Sequence, residues 1–491
     1  MSTQVVQRAP AGAAPTQPVE ATEHPLRWWT LAVMVTAQFM FVVDVFIVNV
    51  SLPSIRTNLR ATPAELEAIV AAYQIAYATL LITGGRLCDI LGRKLVFQIG
   101  LIGFTSASFW CGVSASAPQL IAARVAQGAT AALMLPQVLA AIQTLFPAHE
   151  RARAYSIFGL VLGLGGAAGP ILGGVLIGLN LADLGWRSAF LVNLPVGVVA
   201  AMAACFAVPR LAKAQRVRLD LIGTAVLCAS VVASLYPLLF AREAGWPWWM
   251  LALLFVGLIG FVCFWKIEAR LGARRGQPLV DVASLRESAF ATGLAASFAF
   301  YLGITSFLLV LTLYLQSGLG MPALRAGLTL APLAVGFLVS SRRAAQWTER
   351  HGIGVLIAGV GLVIVALLWF LIVAHGLNRL GAKGATGLPQ ATASLRLAWP
   401  LGLYGFGEGL VIAPLVSTVL GRVRGADAGA LSGVLITVQQ LSGALGIALV
   451  GTAFFSTLSA GFDYALSVSC AIMVVAALAS IVLLRRLASV R

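Results

Sequence analysis

The chain has 491 residues, 60% of them hydrophobic and only 10% charged, with a mean hydropathy of +0.94 and a formal net charge of +16. A soluble protein would carry about 25% charged residues, so this composition excludes a single water-solvated core and implies an all-α polytopic membrane protein. The positive charge lies in short connections between apolar runs, not in a basic domain, which excludes nucleic-acid binding and fits membrane topology.

In chain order, residues 1–27 are rich in Pro, Ala and Gln, with no basic start joined at once to an apolar core. They read as a disordered cytoplasmic tail, not a signal peptide. Fourteen apolar runs follow, at about 28–50, 66–86, 95–115, 118–141, 153–178, 188–208, 220–240, 248–267, 289–316, 323–344, 353–374, 397–420, 428–454 and 463–485, each close to the roughly 20 residues a spanning helix needs. With the N-terminus inside, twenty-four of the 33 Lys and Arg fall in inside segments and eight in outside loops, with Arg124 inside a run. That asymmetry predicts both termini in the cytoplasm. Trp246, Trp248 and Trp249 mark an outer interface.

Two basic linkers, RLAKAQRVR (210–218) and KIEARLGARRGQ (266–277), bracket the seventh and eighth runs. Setting that pair aside leaves six runs and six runs: an N-terminal bundle at 28–208, linkers with two extra central helices at 209–288, and a C-terminal bundle at 289–487. Such a plan suggests two bundles facing each other across a central path. A short repeat supports it, since Asp89-x-x-Gly92 and Glu349-x-x-Gly352 hold matching places in the two halves.

Three charges lie away from the span ends: Asp44, Arg124 and Glu408. A carboxylate at mid-helix costs roughly 2.5–3.5 kcal/mol on insertion scales, so such groups read as functional. Asp44 and Arg124 each lie about six residues from an outer span end, hence roughly 9 Å deep, with opposite signs, and are expected to pair directly or by relay. A carboxyl whose distance to Arg changes between two states can take a proton in one and lose it in the other; a static ion pair is the alternative. Asp44 is expected to face the central cavity. Glu408, near the midplane, reads as a binder of a cationic substrate or a proton, or as a locally hydrogen-bonded acid; Tyr404 and Phe406 beside it have cation–π capacity. The six cysteines (88, 111, 205, 228, 263, 470) are scattered and the four histidines lie near span ends or in tails, so neither a metal site nor catalytic residues are expected. No GxxxxGK[ST] motif is present, so ATP is not the energy source within this chain.

Several stretches together resemble the major facilitator superfamily, and within it the fourteen-span drug:proton antiporters of EmrB/QacA type. GGRLCDILGRK is similar to the family's G-x-L-x-D-x-x-G-R-K at Gly85, Asp89, Gly92, Arg93 and Lys94, with Ile90 where an Arg is common. ARVAQGATAA is similar to R-x-x-Q-G at Arg124, Gln127 and Gly128. GLGGAAGPILGG resembles the antiporter helix motif; Gly165, Gly169 and Gly173 form one stripe, and Gly166, Pro170 and Gly174 the next. Asp44, Asn49 and Pro53 fit D-x-x-x-x-N-x-x-x-P. GWRSAFLVNLPVG (185–197), RLDLIG (218–223) and ADAGALSGVLITVQQLSGALGIAL resemble further stretches and are expected to serve interface anchoring, helix start and close packing. Glu408 departs from the family, which more often has a small or apolar residue there.

The resemblance implies a proton-coupled exporter of hydrophobic, cationic small molecules working by alternating access in a bacterial inner membrane. A dedicated exporter of one metabolite, antibiotic or siderophore is the alternative. The resemblance implies Asp44 and Arg124 in proton coupling, Gly85, Asp89, Gly92, Arg93 and Lys94 as a conformational latch, and Gly165, Gly169, Pro170, Gly173 and Gly174 as the antiporter motif; the residues themselves, not the resemblance, add Glu408 to proton coupling and Glu408, Tyr404 and Phe406 to substrate binding. The expected partners are a small-molecule substrate, protons and the lipid bilayer, with a periplasmic adaptor and an outer-membrane channel left open. No cofactor is expected, the proton gradient supplying the energy.

Overall fold

The computed structural model describes residues 25–209, 220–273, 288–382, 390–420 and 428–489. Among them the regular structure is helical: α1 (Arg27–Leu59), α2 (Pro63–Leu91), α3 (Arg93–Gly112), α4 (Ala117–Ala131), α5 (Leu135–Leu145), α6 (Ala148–Leu179), α7 (Ser188–Leu191), α8 (Asn193–Ala207), α9 (Leu221–Phe240), α10 (Trp248–Ala273), α11 (Ser288–Leu313), α12 (Ala323–Thr329), α13 (Ala331–His351), α14 (Gly354–Ala382), α15 (Gln390–Gly409), α16 (Ile412–Leu420), α17 (Ala428–Thr457) and α18 (Phe462–Ser489). A helix satisfies its own backbone polar groups, which is why apolar runs take this form.

Twelve of the described helical stretches are long and apolar enough to cross a membrane, and a thirteenth counts if the bent pair Ile157–Gly166 and Ala168–Leu179 is one span. The 42° bend there precedes Pro170, whose ring clashes with the carbonyl four residues back, at Gly166. The run expected at 118–141 is two helices, α4 and α5, of 15 and 11 residues. Pro136 near the start of α5 cannot continue the ladder of α4, and neither piece alone reaches the length of a span.

Local chemistry sets the helix ends. Thr62 and Glu65 form a reciprocal capping box on α2: Thr62 Oγ1 accepts the Glu65 N–H at 3.2 Å, and Glu65 Oε2 accepts the Thr62 N–H at 2.8 Å. Asp220 caps α9 by accepting the Gly223 N–H at 2.8 Å. Gly92 and Gly352 end α2 and α13 at φ +93° and +60°, a region open to glycine and strained for other residues. The short sequence repeat is thus a repeated turn.

Helices α1–α8 pack mainly among themselves, as do α11–α18, while α9 and α10 pair with each other. Two seams join the first set to the last. Along one, α2 runs antiparallel to α17, so that Glu67 meets Gly451, Gln74 meets Gly443 and Ile82 meets Gly433; Thr437 donates to the Ala78 carbonyl at 3.1 Å. Along the other, α6 lies on α12 and α13. Helix α9 touches both α2 and α17: Thr83 and Thr224 hydroxyls are 2.8 Å apart, and Thr452 donates to the Leu238 carbonyl at 3.0 Å.

Candidate functional site

The centre of the first set is a buried polar network. Asp44 of α1 is 0% exposed and Arg124 of α4 is 1% exposed. Arg124 Nη1 donates to Asp44 Oδ2 in a direct ion pair. Asp44 Oδ1 also accepts from Gln127 Nε2 at 2.9 Å and from Asn193 Nδ2 at 3.0 Å. Gln127 returns its Oε1 to Arg124 at 2.7 Å, and both Gln127 and Asn193 donate to the Ser108 hydroxyl of α3, at 2.8 and 2.9 Å. Arg124 Nε reaches the Ile69 carbonyl of α2 at 3.2 Å, and its guanidinium lies 4.1 Å from the centre of the Tyr73 ring. Five helices thus converge on one carboxylate and one guanidinium. Each charge is compensated, as burial requires.

The equal-depth expectation of an Asp44–Arg124 contact matches this geometry. The expectation that Asp44 faces the central cavity does not: its partners come from α4 and α8, within the first set. Asp44 turns inward because three donors wait there. Asn193, read from sequence as part of an anchoring stretch, is one of those donors. The anchoring role belongs to its neighbours: Trp186 and Arg187 donate to Asn58 Oδ1 at the end of α1, at 3.2 and 2.9 Å, and Arg187 also reaches the Ser114 carbonyl at 3.1 Å.

The glycines of α6 divide by face. A Cβ on Gly165 would meet Val42 at 2.9 Å, on Gly169 Phe46 at 2.8 Å, and on Gly173 Ile47 at 2.8 Å, so this stripe packs on the stretch of α1 that carries Asp44. In the next stripe a Cβ on Gly166 would still meet the Phe46 ring, at 3.4 Å, but the remainder meets the other set: a Cβ on Gly174 would lie 2.7 Å from the Ala323 carbonyl, and one on Gly327 of α12 would lie 2.7 Å from the Pro170 carbonyl. Small residues allow this backbone-to-backbone approach. At the far end of the seam, Gln316 Nε2 donates to the Val50 carbonyl at 2.8 Å, beside a cleft of about 430 Å³ lined by Pro53, Gly178 and Pro322.

Glu408 is half-buried on α15. Tyr404, one turn earlier, shares its face and stacks on Phe307 of α11 with centroids 4.2 Å apart; Tyr301 of α11 also lies within electrostatic reach. Phe406 is not in this group. Two residues on a helix are about 200° apart, and Phe406 packs against Trp347 on the other side, centroids 6.5 Å apart. The glycines flanking Glu408 are closely packed: a Cβ on Gly407 would lie 2.7 Å from the Gly359 carbonyl, and one on Gly409 would lie 2.6 Å from the Phe337 carbonyl.

In the expected latch, Arg93 Nη1 donates to Thr144 Oγ1 at 3.3 Å and Lys94 Nζ to the Cys205 carbonyl at 2.6 Å. Gly85 packs near Pro136 and Gly92 makes the turn. The side chain of Asp89 lies outside the described residues. Among the described residues no group of three or more His, Cys, Asp or Glu is placed to hold a metal. One carboxyl group missing from the sequence reading, Glu67, is buried to 1% exposure at the α2–α17 seam.

A multi-span helical bundle with two sets of helices meeting along glycine-lined seams, and charges buried between its helices, defines a membrane transporter. The Major Facilitator Superfamily profile matches residues 34–220 and 218–447. The chain is 37% identical over 439 residues to a probable actinorhodin transporter of Streptomyces coelicolor, covering 88% of this chain and 73% of that protein. It is 35% identical over 437 residues to the puromycin resistance protein pur8 of Streptomyces alboniger, covering 87% and 82%. Its fold matches the crystal structure of the POT family transporter PepTSo with a TM-score of 0.67 over 95% of this chain and 99% of that one, at 14% identity. The chain belongs to the Major Facilitator Superfamily.

Proposed function

We propose that the protein is a proton-driven exporter of hydrophobic small molecules, of the fourteen-span antiporter type, with both termini in the cytoplasm. In this reading α4–α5 and the bent α6 each make one crossing, residues 28–208 and 289–487 are the two six-helix bundles, and α9–α10 are the extra pair. The observation that carries the reading is the buried Asp44–Arg124 pair with its Gln127 and Asn193 donors. A proton on Asp44 would cancel one charge of the pair and free Arg124 for its other acceptors, giving the first bundle two distinct internal states. The membrane potential contributes about 2.3 kcal/mol per charge per 100 mV to such a step.

Gly92 and its neighbours serve as the latch at the cytoplasmic end, and the α6 glycines as the closing surface. Glu408 with Tyr404 forms the substrate-facing part, suited to a cation; the packing of Phe406 against Trp347 argues against including it. The names of the two relatives support export of an antibiotic-like compound and leave two versions: broad drug efflux, or release of one product. Sensitivity of a deletion strain to many unrelated cations favours the first; sensitivity to one endogenous product favours the second. In a cell with an outer membrane, an adaptor and channel would extend the route. The direct test is uphill efflux of a dye in proteoliposomes under an imposed proton gradient. Absence of flux in the wild type for every dye and antibiotic tried, or flux indifferent to the gradient, overturns the reading.

A further inference from the structure

Glu67 lies in the second turn of α2, 1% exposed. Unlike Asp44, it has no hydrogen-bond partner among the described residues on either Oε1 or Oε2, the nearby hydroxyl being that of Thr452. It rests against Gly451 of α17, where a Cβ would stand 2.6 Å from its Cδ. The seam between the two sets of helices is therefore shaped around this carboxyl group. Thr452, the adjacent hydroxyl, donates to the Leu238 carbonyl of α9 instead.

Among the described residues, the charged groups facing Glu67 are Arg242 and Glu243, both in the turn after α9. They are 3.7 Å apart, and Arg242 sits 5.7 Å from the centre of the Phe455 ring. Glu243 also accepts the Ala64 N–H at the start of α2, at 3.0 Å. The extra helix pair is thus tied to α2 at Ala64 and to α17 at Thr452, one helix from each set.

A carboxylate enclosed without donors carries a large desolvation penalty. The closed seam therefore suits the neutral acid. Ionisation requires a cation or water, and Arg242 is the cation at hand, reached when α2 moves off Gly451. We propose that Glu67 is a protonation switch of this seam, neutral while α2 and α17 are in contact and ionised against Arg242 when they part, its proton lost to and regained from water at that end. The carboxyl O–H bond breaks, the proton passes to water at that end of the seam, and no other reactant is needed. The proposal rests on the transport reading and adds to it a site, a partner and a task for the extra helices.

The test is amide hydrogen exchange on the full-length protein in lipid nanodiscs, read on peptides covering residues 63–75 and 445–457. Between about pH 6 and pH 9, a range free of ordinary carboxylate titration, rates are corrected for intrinsic exchange. In the wild type, seam opening driven by one ionisation rises up to about tenfold per pH unit. Glu67→Gln, the same shape without the ionisation, gives low exchange that is flat with pH. Arg242→Gln removes the acceptor of the charge and moves the rise to higher pH. A flat wild type, or an equal rise in Glu67→Gln, overturns the proposal; so does an Arg242→Gln profile that coincides with the wild type. The readout needs no substrate. A Glu67-dependent rise in a protein without uphill flux counts against the transport reading alone, whereas gradient-driven flux without that rise counts against this proposal alone.

Discussion

Replacing Asp44 by Asn keeps the side chain's shape and removes its charge. The structure sets the cost. Asp44 accepts from Arg124, Gln127 and Asn193, and an Asn there must turn an NH2 towards at least one of those donors. Removing one member of a buried ion pair costs about 3–5 kcal/mol, because the other charge is left uncompensated. Arg124 keeps Gln127 Oε1 at 2.7 Å, the Ile69 carbonyl at 3.2 Å and the Tyr73 ring at 4.1 Å. Those contacts place the loss at the low end, about 3 kcal/mol. The double variant Asp44→Asn/Arg124→Gln removes both charges and should recover part of it, with an interaction energy of about 0.5–3 kcal/mol. Unfolding in detergent checks the stability cycle; efflux in proteoliposomes under a proton gradient checks function. Asp44→Asn should bind substrate and equilibrate it but lose uphill export. Uphill export at the wild-type rate in Asp44→Asn refutes proton carriage by this residue, and strictly additive stabilities in the cycle refute the ion-pair reasoning.

Three further outcomes are expected. Glu408→Gln should raise the KM for a cationic dye about tenfold, the equivalent of 1.4 kcal/mol, and leave a neutral substrate unchanged; equal effects on both would remove Glu408 from substrate recognition. Gly169→Val forces a side chain into Phe46 and the Val43 carbonyl, which a Cβ alone would meet at 2.8 and 3.0 Å. It should cost about 1–3 kcal/mol by overpacking and slow export, whereas Gly159→Ala, with nothing within 4 Å, should be neutral in both assays. The third concerns Glu150, which accepts from Arg27 Nε at 2.8 Å, and this hydrogen bond holds its carboxyl below the ordinary value of 4.5. A carboxyl depressed on folding stabilises above its unfolded value and loses that contribution as pH falls through the folded one. Melting followed from neutral pH downward should therefore show a small acid-side loss that Arg27→Gln abolishes and that salt weakens.

Hydropathy located the membrane-crossing material because a bilayer sets a length and a composition together. It did not locate the breaks. The α4–α5 turn at Pro136 and the bend of α6 interrupt the backbone ladder without interrupting the apolar run, and a hydropathy count does not register a lost hydrogen bond. The Asp44–Arg124 contact was legible because depth follows from residue count at 1.5 Å per residue. The direction of Asp44 was not, since it depends on which neighbouring helix brings donors, and Asn193 lies 149 positions away. The separation of Phe406 from Glu408 was available from helical spacing alone; grouping the residues by proximity in sequence obscured it. Glu67 escaped because it stands two residues after Glu65, and first-turn acids are ordinary at a helix start. Only the capping box shows that Glu65 serves that end while Glu67 turns into the seam.

The burial of Asp44 inside the first set changes how its charge could act on the second. Among the described residues, the hydrogen bonds and ring contacts of the pair all come from the first set, so influence on the second set passes through a packed element. Helix α6 has the required contacts on both faces. Gly165, Gly169 and Gly173 seat it on Val42, Phe46 and Ile47, the residues that flank Asp44 on α1. On the adjacent face, Gly174 and the Pro170 carbonyl seat it on Ala323 and Gly327. Contacts without a Cβ between them tolerate sliding better than interdigitated side chains, and Pro170 supplies a place to bend. A shift of α1 caused by loading or unloading the pair would therefore reach the second set through α6. A link through an element packed on two faces predicts where coupling fails: Gly169→Val acts on the α1 face and Gly327→Val on the adjacent one. If α6 is the link, both should weaken the proton dependence of export while leaving the Asp44–Arg124 stability cycle intact.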